Sequence, residues 1–103
     1  MALVPSEVSW KATIRPRARL QIADATDWYD SQSKGRGDDF LHAVEEAIDS
    51  ICRNPYQYQT IDGDLRRVVI RRFHYLIIYA VSENEVIVLR CVHSHSNPRR
   101  WLS

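Results

Sequence analysis

The sequence predicts an α+β domain with the element order β-α-α-β-β-β, in which an antiparallel sheet packs against an N-terminal helical hairpin. Three observations carry this prediction. Three short apolar runs follow one another in the second half of the chain, two segments of helical periodicity precede them, and a stretch of alternating residues stands near the start. A chain of 103 residues is long enough for one such domain with a modest core, which we expect to span residues 1–103.

The three apolar runs are Leu65–Ile70, Tyr75–Val81 and Val86–Val92. They are rich in Val, Ile, Leu and Tyr, and the polar breaks between them are too short for a helix, so they predict an antiparallel β-meander. The run Tyr75–Val81 is apolar at successive positions and is therefore expected to be buried on both faces.

The alternating stretch near the start runs from Val8 to Arg15. One of its faces is apolar and consists of Val8, Trp10, Ala12 and Ile14. A period of two predicts a half-buried strand. Pro16 should end this strand and open a helix, because proline has no N–H to lose in the first helical turn.

The first helix is predicted from Pro16 to about Ser33. Apolar side chains recur at three- and four-residue steps along it: Ala18, Ile22, Ala25, Trp28 and Tyr29. Gly35 or Gly37 is available as its C-terminal cap. We expect the tryptophans Trp10, Trp28 and Trp101 to anchor the core.

The second helix should begin at a cap provided by Asp38 or Asp39 and end at Asn54-Pro55. Its apolar stripe consists of Phe40, Val44, Ala47, Ile48 and Ile51. The segment from Tyr56 to Asp64 is predicted to be a loop that leads into the meander, with a turn at Asp62-Gly63.

Composition excludes several classes of protein. A hydrophobic content of 45% and a charged content of 26% are ordinary for a soluble globular domain. No apolar run approaches the roughly 20 residues that span a bilayer, and the first residues lack the apolar region of a signal peptide. We therefore expect a cytoplasmic protein without membrane contact. Cys52 and Cys91 are expected to be buried free thiols.

The net charge of +1 hides an asymmetry between the halves of the chain. Residues 1–50 carry six Lys or Arg against nine Asp or Glu, whereas residues 51–103 carry eight Arg against four Asp or Glu. Arginine favours bidentate contacts with phosphate or carboxylate and stacking on aromatic rings. The basic half therefore predicts an anionic partner, or else a surface whose arginines are solvated or paired with the acidic half.

Several landmarks in this order resemble the ParE/RelE superfamily of bacterial type II toxins, over nearly the whole chain. The segment 28–32 is similar to the family's W-Y-x-x-Q, and Pro55-x-x-Tyr58 to its P-x-x-Y. Arg66-Arg67 followed by 72–79 resembles R-R…R-F-P-Y-x-I-x-Y, and His93 with Pro98 and Trp101 resembles its ending. In two places the sequence differs from the family: His74 replaces the usual proline, and Ser96 or Asn97 stands where a basic residue is common.

The resemblance implies a toxin neutralised by a cognate antitoxin, a segment of which folds around it through helix-in-groove and strand-addition contacts. ParE-like members act on DNA gyrase and are not known as hydrolases, whereas RelE-like members cut mRNA on the ribosome. The sequence shows no complete acid–base constellation, and Leu76 stands where RelE-like enzymes carry an arginine, so gyrase is the favoured target. A degenerate binding module without toxicity is a further alternative.

Two sets of candidate site residues follow from these alternatives. The residues expected to bind a target are Arg67, Arg71, Tyr75, Tyr79, His95, Arg99, Arg100 and Trp101. If the protein is an RNase, the residues expected to act are Arg66, Arg72, Arg90 and His93, with arginines around the scissile phosphate and a histidine moving protons. RNase activity requires these side chains to converge on one concave face. No metal or cofactor is expected, because His93 and His95 have no evident third ligand nearby.

Overall fold

A computed structural model of the chain describes residues 10–97. The elements are β1 (Lys11–Ile14), α1 (Pro16–Gln32), α2 (Arg36–Arg53), β2 (Thr60–Asp62), β3 (Leu65–Ile70), a 3-10 turn (Arg71–Phe73), β4 (Tyr75–Ser82) and β5 (Glu85–His93). The predicted α+β class and order of elements are confirmed, with one addition. The short strand β2 lies inside the segment that was predicted to be a loop, and it pairs with β3 across the turn at Gly63.

The five strands form one sheet in the order β1-β5-β4-β3-β2. The antiparallel meander β3–β4–β5 is confirmed. The prediction of a wholly antiparallel sheet is wrong, because β1 lies parallel to β5. β2 already occupies the outer edge of β3, so β1 joins the free edge of β5. Its direction follows from the connection to α1, because only Arg15 separates the two elements and β1 must therefore end where α1 begins.

The strand β1 is short because the chain turns into α1 directly after it. The backbone N–H of Arg15 donates to the Val88 carbonyl at 3.0 Å, and Pro16 then begins the helix. Within the strand, Ala12 and Ile14 are half-buried while Lys11 and Thr13 are exposed, which confirms the predicted alternation. Positions 8 and 9 of the predicted strand lie outside the described residues.

The core lies between the sheet and the two helices. The buried side chains of the helical stripes are Ala18, Ile22, Ala25, Phe40, Val44 and Ile51. They pack on a sheet face that includes Val68, Ile77 and Val88. On the other sheet face, Leu76 and Ile78 are also buried and form a second small cluster. The strand β4 is therefore buried on both sides, as predicted.

Trp28 does not anchor the core, contrary to the prediction. Its side chain is 56% exposed and meets the ring of Tyr29 edge-on, with the ring centres 5.0 Å apart. Successive helical residues are about 100° apart, so Tyr29, which packs on the core, turns Trp28 away from it. Trp10 is half-buried against the core, and Trp101 lies outside the described residues.

The junction between the helices differs from the predicted capping. α1 ends at Gln32 and is followed by Ser33 in extended conformation, and Gly35 instead precedes α2 with a left-handed φ of 89°. The side chain of Asp30 caps the second helix, since its Oδ1 accepts the N–H groups of Gly35 at 3.0 Å and Gly37 at 3.2 Å. Asp38 and Asp39 lie in the first turn of α2 rather than at its cap, where their charges favour the helix dipole.

Candidate target-binding surface

The helices cover one face of the sheet, and two of the predicted arginines lie on the opposite face. Arg67 on β3 and Arg90 on β5 both pair with Ile78 on the central strand. A β-bulge makes this possible, because Tyr79 pairs with Val88 and Ile78 with Arg90, which leaves one extra residue in β5. Strict alternation from Val88 would have turned Arg90 towards the helices. We name the row Arg67, Ile78 and Arg90 the open-face row.

The two arginines of the open-face row make different contacts. The Nη2 of Arg67 lies 3.5 Å from the Oε1 of Gln59, at the limit of a hydrogen bond. The Nη1 of Arg90 donates to the Leu89 carbonyl at 2.7 Å. Burial lowers the pKa of Arg90, and the charge of Arg17 lowers it further. Both arginine side chains are half-buried.

Arg66 lies on the helix-covered side of the sheet, opposite Tyr79. Its Nη1 donates to the carbonyls of Tyr58 at 2.7 Å and Tyr56 at 3.3 Å, and its guanidinium lies 5.2 Å from the centre of the Tyr56 ring. These contacts tie the segment before β2 to the sheet. Arg66 and Arg67 thus face opposite sides, as expected for neighbours in a strand.

The tyrosines of β4 share the helix-covered face, as their spacing predicts, but they differ in access. Tyr79 is 0% exposed, and its hydroxyl donates to the Pro55 carbonyl at 2.6 Å. Burial raises the pKa of Tyr79 to about 12. A target cannot contact a side chain that has no exposed surface, so Tyr79 is a core residue and not a binding residue. Tyr75 is half-buried and meets the ring of His93 edge-on at 5.2 Å.

Tyr75 and His93 line a groove of about 440 Å³ between α1 and the edge of β5. The helix contributes side chains that sequence reasoning did not select: Arg17, Gln21, Asp24 and Trp28. The groove exists because β1 ends at Ile14 while β5 continues. In the part of β5 that has no β1 neighbour, the backbone N–H of Cys91 donates to the Oε1 of Gln21 at 2.8 Å. This side chain replaces the carbonyl that a neighbouring strand would have provided. The signal in the sequence was the polar stripe of Arg17, Gln21 and Asp24, which recur at three- and four-residue spacing beside the apolar stripe.

Three histidines meet where β5 ends. The ring centres of His93 and His95 lie 5.2 Å apart, and those of His74 and His95 6.1 Å apart. The backbone N–H of His95 donates to the Nδ1 of His93 at 3.1 Å. Burial lowers the pKa of His93, and the two neighbouring imidazoles lower it further. The neutral form of His93 is therefore favoured, and sequence reasoning did not foresee that His74 joins this cluster.

The titratable groups of residues 10–97 include no set of three or more His, Cys, Asp or Glu side chains that is arranged to hold a metal ion. Cys52 and Cys91 are both buried free thiols, as predicted. Burial raises the pKa of Cys91 to about 12, so this thiol is protonated at neutral pH. Neither helix in the described part of the chain is long and apolar enough to cross a bilayer.

Arg71 and Arg72 lie in the turn between β3 and β4, and both are exposed. The guanidinium of Arg72 lies 5.4 Å from the centre of the buried Phe73 ring, and that of Arg36 lies 4.4 Å from the same centre. Arg36 was not among the predicted site residues, because nothing in its surroundings in the sequence links it to this turn.

The four residues expected of an RNase do not converge. Arg66 contacts the segment before β2, Arg90 lies in the open-face row, Arg72 lies in the β3–β4 turn, and His93 lines the groove beside α1. Among the target-binding candidates, Arg99, Arg100 and Trp101 lie outside the described residues.

The sequence matches a known family model, and the fold resembles that of a solved structure. The sequence model of the family described as "ParE toxin of type II toxin-antitoxin system, parDE" matches residues 12–98. A search of curated proteins found no match. A chain of the chromosomal ParDE TA system from P. aeruginosa superposes with a TM-score of 0.64 at 14% identity, over 82% of this chain and 96% of that one. The conserved hypothetical protein HP0894 from Helicobacter pylori gives a TM-score of 0.46 at 17% identity, over 81% of this chain and 92% of that one.

Proposed function

The chain belongs to the ParE toxin family of type II toxin–antitoxin systems, and we propose that it is a toxin that inhibits DNA gyrase in the cytoplasm and is neutralised by a cognate antitoxin. The observation that carries the proposal is the family match, which includes both helices and every strand of the sheet except the first residue of β1. Toxins of this kind need an accessible surface for a target and a second one for an antitoxin.

The distribution of cations supports gyrase rather than mRNA as the target. Cleavage through a 2′-hydroxyl needs a proton acceptor, a proton donor and cations around one phosphate. Here the arginines lie on both faces of the sheet and in the β3–β4 turn, and His93 lines the groove beside α1. A surface that only binds a protein target does not require such convergence.

The helical hairpin offers the surface that suits an antitoxin. A groove of about 440 Å³ between the helices has apolar walls that include Ile22, Leu41 and Ile48, and charged residues at its rim. Leu41 is 38% exposed there. An amphipathic helix that presents apolar side chains at three- and four-residue spacing would cover these residues on binding.

The target surface that we propose comprises residues of the basic half. Among the described residues it includes Arg67 on the open face, Arg71 in the turn, Tyr75 and His95. The proposal adds Arg99, Arg100 and Trp101, which lie outside the described residues. Aromatic and arginine side chains are the residues that most often dominate the energy of protein interfaces.

Purified protein added to two reactions tests the proposal. We expect inhibited supercoiling of relaxed plasmid by gyrase, or accumulated gyrase–DNA cleavage complexes, while mRNA in a reconstituted translation system stays intact. The triple variant Arg99→Gln, Arg100→Gln, Trp101→Ala should lose at least tenfold in inhibition, whereas the matched variant Arg15→Gln, Arg53→Gln at exposed helix ends should retain it.

Codon-phased mRNA cuts with normal supercoiling would overturn the proposal in favour of a ribosome-dependent RNase. Neither effect from a protein whose thermal unfolding is cooperative would point to a binding module without toxicity. Addition of the antitoxin should restore supercoiling in proportion to the complex formed, which a pull-down with the antitoxin measures independently.

A further inference from the structure

Two arginines from distant parts of the chain lie against one buried aromatic ring. Arg36 begins α2, and Arg72 lies in the turn between β3 and β4. Their guanidinium carbons lie 4.4 and 5.4 Å from the centre of the Phe73 ring. The two charges are therefore no more than about 10 Å apart. We name Arg36, Arg72 and Phe73 the arginine fork.

The ring that carries the fork is fixed in place. Phe73 is 1% exposed, and the rings of Tyr29 and Phe40 meet it edge-on at 5.1 and 5.3 Å. The Tyr29 hydroxyl also donates to the Phe73 carbonyl at 2.9 Å. An arginine that stacks on a fixed ring has already lost part of its conformational freedom, so less entropy is lost when a ligand binds.

The charges of the fork are not neutralised by carboxylates in the described part of the chain. Within residues 10–97, neither guanidinium forms an ion pair or a side-chain hydrogen bond. Asp38 and Asp39 follow Arg36 in the first turn of α2, and Glu46 lines a groove with Arg72, yet none of them pairs with the fork. The exposed Arg71 beside Arg72 adds a third positive charge.

We propose that the arginine fork binds the phosphodiester backbone of duplex DNA. Guanidinium groups match phosphate oxygens bidentately. A DNA duplex carries one charge per about 1.7 Å of its axis, so two arginines this close together both find a phosphate. The inference rests on the proposed function, because gyrase holds duplex DNA and a toxin bound to gyrase lies within reach of it. The toxin would then contact the DNA through the fork and gyrase through its target surface.

The test measures DNA binding by the purified protein in the absence of gyrase, so it can succeed or fail independently of gyrase inhibition. Fluorescence anisotropy of a labelled 20-base-pair duplex is followed at several salt concentrations. The fork variant is the double substitution Arg36→Gln, Arg72→Gln. The control is the double substitution Arg15→Gln, Arg53→Gln, which removes the same charge at two exposed arginines away from the fork. Circular dichroism establishes that each variant is folded.

The fork variant should lose at least tenfold in affinity at low salt, and the slope of log K against log salt should fall by about two, one for each phosphate contact. The control should keep the slope of the wild type. Arg36→Lys, Arg72→Lys retains the charges and should restore the slope, which separates loss of charge from loss of folding.

Three outcomes would overturn the inference. One is absence of DNA binding by the wild type, and another is an equal loss in the fork and control variants. The third is a fork-dependent preference for another polyanion, measured with a labelled single-stranded RNA of 20 nucleotides and a poly-glutamate peptide. Fork-dependent RNA binding tighter than duplex binding would assign the same phosphate chemistry to RNA, and fork-dependent binding of the peptide alone would assign an acidic protein.

Discussion

His74 has a left-handed backbone conformation, with φ 57° and ψ 39°. Its N–H lies 3.4 Å from the Arg71 carbonyl, and its own carbonyl accepts the N–H of Ser94 at 2.7 Å. Proline cannot adopt this φ and has no N–H to donate. Proline could not form this turn at position 74, and the hydrogen bond to Ser94 joins the β3–β4 connection to the segment after β5.

We expect His74→Pro to destabilise the fold by more than about 1 kcal/mol, because proline is incompatible with the native φ. His74→Asn should change the free energy of unfolding by less than about 0.5 kcal/mol, since asparagine tolerates the left-handed region. Urea unfolding followed by circular dichroism measures both variants. An unchanged midpoint for His74→Pro would mean that the turn is not held in this conformation.

The helical hairpin depends on a close approach that only glycine permits. A Cβ at Gly37 would lie 2.7 Å from the Thr26 carbonyl oxygen and 3.0 Å from the Cβ of Asp30. Both groups belong to α1, and the carbonyl is backbone that cannot move aside alone. Gly37 thus sets the distance between the first turn of α2 and the last turns of α1.

Gly37→Ala should destabilise the protein by about 1–3 kcal/mol, the usual cost of overpacking. The sign of this change in the free energy of unfolding is the test, because replacing glycine by alanine inside a helix ordinarily stabilises a protein by about 0.5–1 kcal/mol. His42→Ala, at an exposed position of the same helix, should be neutral or slightly stabilising. Thermal unfolding of the two variants compares them, and a higher Tm for Gly37→Ala would contradict the close approach.

At the level of elements, periodicity predicted both helices and the three strands of the meander. It did not predict that β1 would be parallel to β5, because periodicity identifies a strand but carries no information on its partner or its direction. The sequence did not predict the bulge at Leu89 either, because the pairing between β4 and β5 decides where the extra residue is accommodated. This bulge decides which face carries Arg90, so part of the candidate surface depended on it.

For the molecule as a whole, buried groups that ionise only in alkali make stability depend on pH. Burial raises the pKa of Tyr79 to about 12, above the value of about 10 for an unfolded tyrosine. The unfolded chain then loses its proton first, so the contribution of Tyr79 to stability is full below pH 10 and is lost as the pH rises towards 12. Burial also raises the pKa of Cys91 to about 12 from an ordinary value of about 9, so the contribution of this thiol begins to fall at a lower pH than that of Tyr79.

The variant Tyr79→Phe separates the contribution of Tyr79 to the pH dependence of stability from that of Cys91. At pH 7 the variant should be about 1–3 kcal/mol less stable, because the buried Pro55 carbonyl loses its donor. Between pH 10 and 12 its stability should fall less than that of the wild type. Urea midpoints across this range measure the difference, and parallel curves for the two proteins would exclude Tyr79 as a source of the pH dependence.

The candidate surface as a whole was predicted less well than the fold. The basic half of the sequence was identified from composition, and the opposite faces of Arg66 and Arg67 follow from strand alternation, but Tyr79 lies entirely in the core. Arg36 and Trp28 belong to surface features that only the packing of α1 and α2 on the sheet creates. Contacts between side chains far apart in the sequence leave no local pattern.

The parallel pairing of β1 with β5 has a consequence for how the protein is made. The hydroxyl of Thr13 donates to the carboxylate of Glu85, 72 positions later in the chain. At a synthesis rate of 5–20 residues per second, about 4–14 s pass between the translation of these two residues. By the end of this time the first strand and both helices have been synthesised, but β5, the strand that β1 joins, has not. Each new toxin molecule therefore passes through an interval in which it is open to proteases and chaperones.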